Sequence, residues 1–72
     1  MLLTEYMRKV RRGMEMSQQE LAKELNVSYS SVNRWENNQV VPSKLARKSF
    51  LDFCIAREIS IPPEILEDNE MS

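Results

Sequence analysis

The sequence has no histidine, one cysteine, one glycine and one tryptophan. Each scarcity excludes something. Without histidine and with Cys54 alone, the usual donor sets for zinc or iron are missing and no internal disulfide can form. There is also no glycine-rich phosphate loop. No acid–base or nucleophilic constellation can then be assembled, so neither an enzyme, a cofactor nor a small-molecule substrate is expected. A single glycine leaves little material for hairpin turns and favours helices. No apolar run approaches the roughly 20 residues that cross a bilayer. In the opening MLLTEYMRKVRR the basic residues follow the apolar ones, which is not the order of a signal peptide. The expected setting is the reducing cytoplasm, with no membrane partner.

What is present fits one small all-α domain. The chain has 72 residues, 42% of them apolar, enough for one efficiently packed core. Its net charge of -1 hides an asymmetry. Residues 1–50 carry nine Lys/Arg against five Asp/Glu, and residues 51–72 carry one against six. Such a division suits a polyanion partner on one face and an acidic segment that keeps clear of it, although two ordinary solvated faces would look the same.

Along the chain, Leu3, Met7, Val10 and Met14 recur at helical spacing and predict a first helix over about 2–12, stopped by a left-handed Gly13. Ser17 followed by Glu20 forms a capping-box pattern, with Met16 and Leu21 placed as a staple, so a second helix starts there. Its inner face is Leu21, Ala22 and Leu25, and Asn26 suits the turn after it. Ser28 starts a third helix, with Val27 and Val32 as a second staple. Val32 and Trp35 point inward at a spacing of three, which makes Trp35 a core residue. Tyr29, Ser30, Asn33, Arg34 and Asn37 then share the outer face. Ser43 caps a fourth helix through about Ala56, with Leu45, Ala46, Phe50, Phe53 and Cys54 toward the core. Leu51 and Ile55 form a second apolar line, either buried as well or exposed for a partner. The segment Ser60-Ile61-Pro62-Pro63 opens a short last helix. The expected domain covers 1–68, and a disordered tail is expected at 69–72.

The runs Ser17-Gln18-Gln19-Glu20-Leu21-Ala22, Leu25-Asn26-Val27-Ser28 and Val32-Asn33-Arg34-Trp35-Glu36-Asn37 resemble the helix-turn-helix of the phage Cro and repressor family, over about residues 7–56. The resemblance implies a repressor-like bundle of four to five helices with its helix-turn-helix at 17–37. It implies sequence-specific binding of double-stranded DNA by a transcriptional regulator, with the recognition helix, about 28–37, in the major groove. It places Tyr29, Ser30 and Arg34 among base-reading side chains, with Asn33 beside them. Gln18, Ser28 and Asn37 fall at phosphate-contacting positions, and Arg11 and Glu36 at a structural ion pair. Arg8, Lys9 and Arg12 read as a solvated basic face that could touch phosphate. Asn38 stands where the family usually has glycine, and Lys44 where an apolar residue often opens the fourth helix. A weak or DNA-promoted homodimer through Leu51, Ile55 and the 61–66 segment is expected. The competing reading is a protein-interaction module such as an antitoxin, or the DNA-targeting domain of a larger protein.

Overall fold

The computed structural model describes residues 2–70, with side chains over 3–66. Five helices and no strand occur among the described residues: α1 Leu2–Gly13, α2 Gln18–Leu25, α3 Tyr29–Glu36, α4 Lys44–Ala56 and α5 Pro63–Glu70. They fall into two units, Met1–Val41 with α1 to α3 and Pro42–Ser72 with α4 and α5.

In the first unit α3 packs on both α1 and α2. The buried residues of α1 are Leu3, Thr4, Met7 and Val10, those of α2 are Leu21, Ala22 and Leu25, and those of α3 are Val32, Trp35 and Glu36. Each large apolar side chain removed from water this way contributes about 1.5–3 kcal/mol. Met14 does not continue the stripe of α1. It is 37% exposed, because the helix ends at Gly13 and Met14 already lies in the turn. Thr4, near the start of α1, is buried as well and donates its hydroxyl to Asn38 Oδ1 at 3.1 Å.

Three helix starts use one device. Ser17, Ser28 and Ser43 are extended, and each hydroxyl accepts from the amide three residues on, at Glu20, Ser31 and Ala46. Each bond satisfies an amide that the helix leaves without a partner. At Ser17 the box is complete, since the Ser17 amide donates to Glu20 Oε1 at 2.8 Å. Those bonds hold the exposed Glu20 carboxyl below its ordinary range, the backbone amide of Ser17 more than its hydroxyl.

Helix ends follow a second shared pattern, and Gly13 has no part in it. Among the described residues, those with positive φ are Glu15 (57°), Asn26 (58°), Asn38 (58°) and Glu58 (57°). After each, the next amide reaches back five residues to a carbonyl: Met16 to Arg11, Val27 to Ala22, Gln39 to Arg34 and Ile59 to Cys54. This is the double-bonded left-handed termination that usually takes glycine. Asparagine tolerates the conformation, whereas glutamate there costs about 1–2 kcal/mol. The glycine therefore sits two residues too early to relieve the strain, and a methyl at Gly13 would meet nothing within 4 Å. Exchanging the two roles, Gly13→Ala with Glu15→Gly, is expected to raise stability by about 1–2 kcal/mol. Denaturant melting checks this, and a lower midpoint for the double variant would contradict it.

The second unit corrects the phase expected for α4. Ala46, Arg47, Phe50, Leu51, Phe53 and Cys54 are buried, while Leu45 is 75% and Ile55 63% exposed. At about 100° per residue the buried set forms one continuous arc that includes Leu51 and turns Leu45 to solvent. The expected outer line of Leu51 and Ile55 thus does not exist as a patch. Phe50 and Phe53 stack with ring centroids 6.2 Å apart, and the Arg57 guanidinium lies 4.0 Å over the Phe53 ring. Helix α5 opens at Pro63, where a missing N–H costs nothing, and buries Ile65. Of the tail expected at 69–72, residues 69–70 belong to α5 and 71–72 lie outside the described residues.

Candidate nucleic-acid interface

Only Asn26, Val27 and Ser28 separate α2 from α3, and the left-handed backbone of Asn26 makes so short a connection feasible. Helix α3 then buries Val32, Trp35 and Glu36 and turns the rest of its surface outward. Tyr29 is 52% exposed, Ser30, Arg34 and Asn37 are exposed, and Asn33 is half-buried. Ser28, at the start of α3, is exposed, with its hydroxyl 3.0 Å from that of Ser31.

Beneath this surface lies a polar centre built on Glu36, which is 2% exposed. Arg11 grips it with two bonds, Nε to Oε2 at 2.8 Å and Nη2 to Oε1 at 2.8 Å. A third bond from Arg11, Nη1 to the carbonyl of Met16 at 2.9 Å, ties the same side chain to the turn after α1. Gln18 Nε2 donates to Glu36 Oε1 at 3.0 Å. The Arg8 guanidinium donates to the backbone carbonyl of Glu36, with its Nε 3.8 Å from Oε1. Burial alone would raise the Glu36 carboxyl. The hydrogen bonds from Arg11 and Gln18 and the charges of Arg11 and Arg8 outweigh it and hold the group below its ordinary value. The hydrogen bond to Glu36 raises Arg11 in turn, against the lowering effect of its burial. Both groups are therefore charged at neutral pH.

From this centre a line of side-chain amides leads back to the outer face of α3. Asn33 Nδ2 donates to Gln18 Oε1 at 3.1 Å, and Asn37 Nδ2 donates to Asn33 Oδ1 at 3.2 Å. The structure thus joins four of the residues marked from the sequence, Gln18, Asn33, Asn37 and Glu36, in one network with Arg11. Tyr29, Ser30 and Arg34 lie on the same helix with exposed side chains. One member, Arg8, and one contact lie outside the sequence reading. Arg8 was assigned to a solvated face, although it precedes Arg11 by three residues and so shares its side of α1. The contact of Gln18 with Glu36 has no local signal, because the two are 18 residues apart.

A family model described as helix-turn-helix matches residues 7–46, more than half of the chain. The chain belongs to this helix-turn-helix family, of the XRE type. No curated protein and no solved structure matches it. Membership supports a DNA-binding function like that of transcription regulators. The matched segment of this helix-turn-helix protein includes α2, α3 and the whole network around Glu36. No helix among the described residues is long and apolar enough to cross a membrane.

Proposed function

We propose that this protein is a sequence-specific transcriptional regulator that inserts α3 into the major groove of duplex DNA. The observation that carries the reading is the division of α3. One side is fixed to α1 and α2 by Val32, Trp35 and Glu36, and the opposite side presents Tyr29, Ser30, Arg34 and Asn37. In this reading Arg34 bonds a guanine edge through its planar fork, Tyr29 and Ser30 touch neighbouring bases, and Asn33 lies beside them. Ser28, Asn37 and Gln18 contact phosphates, Gln18 from the first turn of α2, where the helix amides favour an anion. The buried, lone Cys54 suits action in a reducing cytoplasm.

One recognition helix reads few base pairs, so a second copy on a half-site about 34 Å away belongs to the same reading. With Leu51 buried, the apolar material for that contact reduces to exposed residues such as Ile55 and Leu66. Association is then weak and promoted by DNA.

Selection from a randomised duplex library tests the proposal. A defined, palindromic consensus is the expected result, and enrichment of no sequence would sink it. Arg34→Ala should lose about 1–3 kcal/mol on the selected site and relax preference at one base pair. Equal losses for Arg34→Ala on selected and random DNA would remove it as a reader.

A further inference from the structure

The amide line from Glu36 to Asn37 has a direction. An ionised carboxylate only accepts hydrogen bonds, so the Gln18 side chain must turn its NH2 toward Glu36 and its oxygen away. That oxygen can meet only a donor, and it meets Asn33 Nδ2. The Asn33 oxygen is in turn directed to Asn37 Nδ2. An amide in isolation offers a donor and an acceptor in either orientation. Here the buried charge fixes both orientations, because reversing any amide would set oxygen against oxygen or NH2 against NH2.

We propose that this relay makes Asn33 a specificity-determining residue that presents a donor to the base edges of DNA. The inference rests on the reading of α3 as the recognition helix. The adenine edge is read by an asparagine that donates to N7 and accepts from the N6 amino group with the same amide. In Asn33 one lone pair of the oxygen is already taken by Asn37, which weakens the acceptor half of that paired contact. The second N–H of Nδ2 suits the keto oxygen of guanine O6 or thymine O4. It is mismatched to the amino group that adenine and cytosine hold at the same place, which is itself a donor. The base facing Asn33 is therefore selected for a keto oxygen at that place. Glu36 and Gln18 act as positioning residues that set the hydrogen-bond polarity from behind the helix.

The test uses the whole chain in duplex selection with three proteins: wild type, Asn33→Ala and Asn37→Ala. Wild type should enrich guanine or thymine at one position, and Asn33→Ala should lose that preference by about two- to tenfold while the rest of the consensus persists. Asn37→Ala frees the Asn33 oxygen and should shift the same position toward adenine. A purely structural role for Asn37 would lower affinity without changing the preferred base. A consensus unchanged at every position in both variants would overturn the relay and leave DNA reading intact, and so would adenine at the Asn33 position in wild type. Enrichment of no duplex by wild type would overturn the reading itself and the inference with it. A second measurement needs no DNA: the side-chain amide NMR signals of Asn33 should move in both Gln18→Ala and Asn37→Ala. Signals that stay in place in either variant would overturn the relay.

Discussion

Glu36→Ala is expected to cost about 3–5 kcal/mol of stability, as when one partner of a buried ion pair is removed. The Arg11 side chain is only 12% exposed, and truncation of Glu36 leaves its Nε and Nη2 without the carboxylate while the Met16 carbonyl satisfies only Nη1. Gln18 loses its acceptor in the same step. The pair Lys48–Asp52 gives the contrast. Those side chains are 73% and 61% exposed at 3.4 Å, and breaking that bridge should cost no more than about 0.5 kcal/mol. Against a total stability of about 5–15 kcal/mol, the Glu36 effect decides whether a protein of this size is folded at 37 °C. Urea midpoints of the two single variants, Glu36→Ala and Asp52→Ala, check the comparison, and equal midpoints would refute it. The pH dependence follows in sign. The folded-state pKa of Glu36 lies below its ordinary value of 4.5, so the unfolded chain binds the extra proton first. Stability from the pair is complete above the unfolded value and is lost as pH falls through the lower folded one. Glu36→Ala should lack that part of the acid slope.

The second large effect is expected at Trp35. Trp35→Ala should cost about 3–5 kcal/mol, the range for deleting a buried aromatic ring. At 6% exposure the indole belongs to the inner side of α3 and has no open face on which a base could stack. Trp35→Phe should restore most of the stability and leave the preferred DNA sequence unchanged. As the only tryptophan, Trp35 reports on itself, and its emission should hardly respond to duplex DNA. A Trp35→Ala protein of unchanged melting temperature that has lost DNA binding would reverse this assignment and make the ring a contact residue.

Much of this was legible because the determinants are local. Serine followed by a helical run fixed three helix starts, and the spacing of Leu21, Ala22, Leu25, Val32 and Trp35 fixed the inner faces of α2 and α3. Asn38 at the usual glycine position adopts the left-handed backbone that the substitution permits. The errors arose where local pattern was ambiguous. Helix α1 does end at Gly13, but the left-handed backbone expected of that glycine falls two residues later at Glu15, where sequence gives no warning. Helix α4 carries apolar residues around most of its circumference, so periodicity could not choose between Leu45 and Leu51. The buried Arg47 on the same arc further disguised its phase. At the candidate site, the outer face of α3 followed from spacing alone, but the linkage of Gln18, Asn33 and Asn37 to Glu36 depends on how α1, α2 and α3 meet.

Glu36 receives bonds from Arg8 and Arg11 of α1 and from Gln18 of α2, at sequence separations of 28, 25 and 18 residues. A junction of three helices cannot assemble while any one of them is still undocked. The complete set of bonds exists only when all three are in place. One buried carboxylate therefore couples α1, α2 and α3 into a unit whose parts open together rather than singly.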